Sequence, residues 1–294
     1  MLSTVLAIFF ALSSALVIAW GTVVRQSIAV QSTVGKVMRT AMSNPLWWVG
    51  TGSAVVAYGL QMIALGFGTL LIVQPILVLS LMFTLPLAAW YQKRQMGRSE
   101  ILWSGLLTLA VAVLVVLGRP VQGIAAPPLH DWVPALLIVF GGIAALIFSA
   151  AHSARFRALL LGAACGALYG FVAMLSKTVA DTYVHHGLPA LLQSWSLWLL
   201  IVAAGCGTIM QQYSFQAGSL NQSLPAMTIV EPLVAFSLGI GVLQERFQVS
   251  SAAGWTVMAI AVVVMLGATI VLSRQPLRPK FIIIEKTSPA QAAG

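Results

Sequence analysis

Residues 221–246 read NQSLPAMTIVEPLVAFSLGIGVLQER, and this stretch decides the fold. It is apolar enough to cross a bilayer, yet it carries Glu231 near its middle, followed at once by Pro232. At about 1.5 Å of rise per residue, Glu231 lies roughly 14 Å from a helix start at Gln222, close to the midplane of a ~30 Å hydrocarbon core. A carboxylate at that depth costs about 2.5–3.5 kcal/mol on insertion scales, so it is expected to face protein or water. Pro232 removes a backbone donor and loosens the helix beside it. Residues 70–82, LLIVQPILVLSLM, place Gln74-Pro75 where the later stretch has Glu231-Pro232. Two helix breaks, at Pro75 and Pro232, are expected at the heart of the molecule.

The rest of the composition agrees. Of 294 residues, 60% are hydrophobic and only 7% are charged, a balance that excludes a soluble domain of this size. The class is an all-α polytopic membrane protein. The formal charge of +9 reads as basic loops facing an anionic leaflet, with no nucleic acid partner. The acidic residues are Glu100, Asp131, Asp181, Glu231, Glu245 and Glu285, and all but Glu231 fall at span ends, in loops or in the tail. Cys165 and Cys206 lie in apolar spans and lack the further ligands that a disulfide framework or zinc site needs. They read as packing residues, and neither a metal nor a cofactor is expected. The N-terminus has no basic n-region, so the first span is expected to be retained.

With a threshold of about 20 apolar residues, nine spans are expected, at about 2–23, 45–66, 68–90, 101–118, 132–149, 157–179, 192–214, 222–243 and 252–273. Residues 25–44 are too polar to cross and are expected at the surface. Lys and Arg placement orients the chain. Arg25, Lys36, Arg39, Lys93, Arg94, Arg98, Arg155, Arg157, Arg274, Arg278, Lys280 and Lys286 fall in one set of connections. Arg119, Lys177 and Arg246 fall in the other. The bias places the N-terminus outside and the C-terminus in the cytoplasm, which requires an odd number of spans.

Trp20-Gly21 in span one matches Tyr169-Gly170 in span six, as Gln74-Pro75 matches Glu231-Pro232. Matching spans are five apart and so cross in opposite directions, an inverted-topology repeat of four spans, a bridging span and four spans. The divisions are 1–120 for the first repeat, 121–156 for the bridging helix and its loops, 157–275 for the second repeat and 276–294 for a short basic cytoplasmic tail. Repeats of this kind place a substrate site at their interface near the midplane.

These residues carry a resemblance. The run Glu231-Pro232-Leu233-Val234-Ala235, continuing to Leu243-Gln244-Glu245-Arg246 and then an apolar helix from Gly254 to Leu272, is similar to the motif of EamA-like members of the drug/metabolite transporter superfamily. The chain departs from the ten-span plan of that superfamily: each half lacks its second helix, and span five is an added bridge. The nine-span arrangement resembles the NIPA-type magnesium transporter family, where Pro-Leu-Trp-Trp also opens the second span, here Pro45-Leu46-Trp47-Trp48. The resemblance implies transport and leaves the substrate open.

The candidate residues follow. Glu231 reads either as a coupling carboxylate that carries a proton or cation, or as a residue that holds backbone freed by Pro232. Gln74 is its counterpart, a substrate partner or an interhelical clamp. Gln61, Gln211, Gln212 and Asn221 form a polar set, with Tyr58 and Tyr213 as aromatics beside it; each can bind solute or hold helices together. Trp20 and Tyr169 read as pathway or interface residues. Trp47, Trp48, Trp195 and Trp198 read as an aromatic belt. Lys177 reads as snorkelling to the outer surface, and His185-His186 as a loop pair without partners. Gly162, Gly166 and Gly170, four residues apart, form a smooth stripe for close helix packing.

The sequence shows no phosphate loop, nucleophile elbow or H-E-x-x-H, so no enzyme is expected. Three functions stay open: a proton-coupled carrier of a small metabolite or drug-like solute, a magnesium or divalent cation transporter, and a non-transporting scaffold of a cell-envelope complex. The expected partners are a small-molecule or ion substrate and the lipid bilayer of the plasma (cytoplasmic) membrane, which the chain crosses several times. A homodimer stays open.

Overall fold

The computed structural model describes residues 2–31, 45–91, 93, 95–124, 127, 129–153, 155–217 and 220–274. These form ten helices: α1 (Leu2–Gln31), α2 (Pro45–Phe67), α3 (Leu70–Val78), α4 (Ser80–Tyr91), α5 (Arg98–Val116), α6 (Leu129–His152), α7 (Arg157–Gln193), α8 (Trp195–Gln216), α9 (Leu220–Gly241) and α10 (Ala252–Ser273). Their starts are chemically marked. Thr69 Oγ1 accepts the Ile72 N–H at α3, Ser251 Oγ accepts the Gly254 N–H at α10, and the Glu100 carboxylate accepts the Gly97 N–H at α5. Each satisfies a donor that the first helical turn would leave open.

Seven helical segments among the described residues are long and apolar enough to cross a membrane: 2–24, 70–91, 98–116, 132–152, 157–193, 222–241 and 252–273. The expected second and seventh spans, 45–66 and 192–214, are also helical, as α2 and α8, but stand outside those seven. α1 lies along α2, α3 and α4. α7 is the central helix, packed on α6, α8 and α9 and touching α2. α9 also meets α3, and α10 lies against α5. On α1 the buried face is a row of small residues, Ala7, Ala11, Ala15 and Ala19, and Ser14 Oγ donates to the Ala57 carbonyl of α2.

Three connections meet at one end of the bundle. The Val121 N–H donates to the Arg246 carbonyl at 2.9 Å, the Ile124 N–H to Leu243 at 2.7 Å, and the Gln248 N–H to Gly118 at 2.9 Å. The α2–α3 turn joins them through Glu245, whose carboxylate accepts the Leu70 and Leu71 N–H groups at 2.9 and 3.1 Å.

Four expectations change. Pro75 and Pro232 do not break their helices: α9 runs unbroken through Pro225 and Pro232, and α3 runs through Pro75 and ends at Val78. The interruption falls at Leu79, between α3 and α4. A proline removes one ladder bond, and the packing on both sides keeps the rest of the helix in line. Residues 25–31, expected to form a separate segment with 32–44, are helical and continue α1 beyond its apolar part, which ends at Val24, while 32–44 and the 276–294 tail lie outside the described residues. His185 and His186 are on α7, which extends past the expected span end and kinks at Gly187, where φ is +76°. Lys177 is buried rather than snorkelling, held by partners described below.

Candidate functional site

The contact between α7 and α9 fixes where Glu231 sits. A Cβ on Gly162 would lie 2.5 Å from the Ser223 carbonyl oxygen, one on Gly166 2.6 Å from that of Met227, and one on Gly170 2.6 Å from that of Glu231. The stripe of glycines on α7 thus lies against a matching row on α9, again four residues apart. Without side chains the two backbones approach closely, the arrangement that small-residue motifs serve in membranes. Glu231 is the inner member of that row, and its position is set by Gly170.

Around Glu231 the structure gathers part of the expected polar set. Cys165 and Tyr169 of α7 lie within its electrostatic reach. The Tyr169 hydroxyl donates to Gln211 Oε1 of α8 at 3.3 Å, and Gln211 Nε2 points at the Met227 sulfur at 3.6 Å. Cys165 Sγ faces the Gly207 carbonyl at 3.7 Å. Among the described residues no hydrogen bond or ion pair reaches the Glu231 carboxylate. Tyr169, Gln211 and Glu231 therefore form a polar centre where α7, α8 and α9 meet.

Gln74 approaches from the other half. Leu70 Cβ lies 3.5 Å from where a Cβ on Gly239 would be, so the start of α3 meets the end of α9. From that contact Gln74 is four residues along α3 and Glu231 eight residues back along α9, about 6 and 12 Å inward. The two polar-proline positions thus differ in depth by about one helical turn. Gln74 is 2% exposed, and its Nε2 has no hydrogen-bond partner among the described residues. A buried orphan donor costs about 1–3 kcal/mol, so this amide is held ready for an acceptor.

The other candidates are not drawn in. Tyr58 bonds to Ser176 Oγ at 2.7 Å, an α2–α7 clasp. Gln61 is half-buried on α2, whereas Trp20, Gln212 and Tyr213 are exposed, Tyr213 by 64%. Trp195 packs edge-on against the buried Trp132, with ring centroids 4.9 Å apart. The side chains of Trp47, Trp48 and Asn221 lie outside those described. A cavity of about 790 Å³ between α6 and α9 is apolar and includes neither Glu231 nor Gln74 in its wall.

The sequence reading missed a buried ionic cluster at the end where the connections meet. Lys177, Asp181 and Glu245 are 3%, 6% and 1% exposed. Lys177 Nζ donates to Asp181 Oδ1 at 2.6 Å and to the Leu65 carbonyl, in the last turn of α2, at 2.9 Å. Glu245 takes the first N–H groups of α3. A lysine thus ends α2 and a carboxyl group that accepts the first N–H groups starts α3, each at the helix end its hydrogen bonding suits. His185 Nδ1 pairs with the Asp181 carbonyl at 2.8 Å, and Lys177, Asp181, His185 and Glu245 border a polar cavity of about 100 Å³. The only signal in sequence was charge at a helix end, Lys177 four residues before Asp181.

Burial pushes the Glu245 carboxyl up to about 7, against the pull of the Leu70 and Leu71 N–H groups and Lys177 and with a push from Asp181. The folded value lies above the unfolded one of 4.5, so its stabilising contribution is complete below about pH 4.5 and lost as pH rises through about 7. At about 1.4 kcal/mol per unit the swing is of order 3 kcal/mol. Melting in detergent is expected to fall between pH 5 and pH 8, and Glu245→Gln to flatten that fall. Parallel melting curves for both proteins would remove Glu245 as its source.

Compared with known proteins, the chain is 50% identical over 287 residues to an uncharacterized protein of Corynebacterium glutamicum, covering 95% of this chain and 98% of that protein. The chain belongs to that protein's family. Identity at this level along nearly the whole length makes the corynebacterial member a bundle of the same kind. No family model matches the chain, and no solved structure matches it.

Proposed function

We propose that the protein is a secondary transporter of a small solute in the cytoplasmic membrane, working by alternating access and coupled to protons through Glu231. The observation that carries this reading is the Glu231 carboxylate itself. It sits on a membrane helix with no hydrogen bond or ion pair among the described residues, next to Tyr169 and Gln211 and about one turn in depth from the orphan amide of Gln74. A carboxylate kept at such a depth without a fixed partner is a functional group by default. The fold class proposed is nine spans in an inverted repeat of four, one and four, N-terminus outside, in the manner of EamA-like drug/metabolite transporters. Two features support it: α1 packs on α2, α3 and α4 as α7 packs on α8 and α9, and three of the four connections that an alternating path puts on the outer side are joined at one end.

The test is proton movement in liposomes. The purified full-length protein is reconstituted around a pH-sensitive dye and challenged with amino acids, sugars, polyamines, flat aromatic cations and Mg²⁺. At least one organic solute is expected to drive proton movement that protein-free liposomes lack. Movement of Mg²⁺ alone would favour the divalent-cation reading. No response to any of them, from protein shown to be folded, would leave the scaffold reading.

A further inference from the structure

We propose that the Lys177–Asp181–Glu245 cluster is a latch that holds one entrance to the Glu231 centre closed by tying the first half of the chain to the second. The proposal rests on the transport reading for its purpose but stands on its own geometry. Among the described residues, the side-chain bonds of Lys177 and Glu245 other than Lys177–Asp181 cross between the halves. Lys177 of α7 takes the end of α2 through the Leu65 carbonyl, and Glu245 of the second half takes the start of α3 through Leu70 and Leu71.

The covering loops have the same character. Residues 118–124 follow the last helix of the first half, 242–248 follow α9, and they exchange backbone hydrogen bonds over the cluster. Gly123 lies so close to Leu243 and Gln244 that a Cβ there would strike their backbone. Arg119 and Gln244 have φ of +40° and +54°. Non-glycine residues held in that left-handed region are strained, so the closed loops carry strain that opening would release.

The balance suits a device that opens. Removing one partner of a buried pair leaves the other charge uncompensated, so the closed end depends on both partners of the latch. Both helix ends that the latch grips can take water instead once exposed. Among the described residues, the other charged or titratable group at the cavity is the exposed His185.

The experiment reads the reach of a reagent to Cys165, which is buried beside the Glu231 centre. Cys206, the other cysteine, is replaced by Ser, and the full-length protein in liposomes meets a membrane-impermeant maleimide from either side. Labelling of Cys165 is followed by peptide mass spectrometry. Lys177→Met and Glu245→Gln are each expected to raise the rate by about tenfold, the effect of ~1.4 kcal/mol on opening. The gain is expected only from the side that carries the 118–124 and 242–248 loops. Faster labelling from both sides would mean general loosening and would overturn the latch, as would folded variants that label at the parental rate.

A second arm needs no weakened protein. Val121→Cys with Arg246→Cys places cysteines on a bonded antiparallel pair that joins the loop leaving the first half to the loop after α9. Oxidation is expected to slow Cys165 labelling several-fold from that side, and reductant to restore it. No change on oxidation would overturn the proposal. Because labelling needs no solute, a working latch with no solute-driven proton movement would count against the transport reading alone.

Discussion

Gly166→Leu is expected to cut the amount of folded protein in the membrane by an order of magnitude or more. Even a Cβ at Gly166 would stand 2.6 Å from the Met227 carbonyl oxygen and 3.0 Å from Met227 Cα. Both obstacles are backbone, so no side chain can swing away to make room. Leucine adds three carbons beyond that point and must push α9 from α7. Overpacking a well-filled site costs about 1–3 kcal/mol, and blocking a backbone contact belongs at or above the top of that range. The change would also displace Glu231, which rests on Gly170 one turn along. Gly205→Leu is the control, since a Cβ there meets nothing within 4 Å. Equal accumulation and equal melting of the two variants would remove the glycine stripe from the packing of α7 on α9.

Glu231→Gln is expected to abolish proton-driven accumulation while leaving folding intact. Glutamine keeps the shape of the side chain, and among the described residues there is no ion pair at that carboxylate to lose. It also makes the second half carry Gln-Pro where the first half has Gln74-Pro75. A carboxyl can take up and release a proton as the site changes sides, and an amide cannot. Exchange of labelled solute across the liposome membrane needs no net change in protonation, so it is expected to survive. Accumulation is expected to fall to the level that solute leak alone gives. Concentrative, pH-dependent uptake at the parental level would make Glu231 structural.

Where helices lie is legible in this sequence, because the bilayer sets their length and apolar runs report it. The expected 252–273 and the observed Ala252–Ser273 coincide, and so do 45–66 and Pro45–Phe67 within a residue. The glycine stripe is legible too, since its spacing is local. The Lys177 cluster is not. Hydropathy treats a lysine near a span end as reaching for water, and nothing near it in sequence announces a carbonyl at Leu65. The pairing of Glu245 with Leu70 is equally hidden, because it depends on two connections folding to the same end. Pro75 and Pro232 mislead for a related reason: a proline's local cost is fixed, but whether the helix bends is decided by its neighbours. Of the polar candidates, Tyr169 and Gln211 join Glu231, whereas Gln212 and Tyr213, next along α8, turn away because a helix shows only one face to its partners.

The Glu245 bond to the start of α3 spans 175 residues of sequence. During synthesis, α3 enters the membrane with its first amide groups unmatched and waits for the loop after α9. At about 5–20 residues per second, that interval is roughly 9 to 35 seconds. The first half therefore spends its early life as an unfinished structure, with one helix end dependent on water, lipid or a helper protein. Completion comes late and from the far part of the chain, so the order of manufacture and the order of assembly differ.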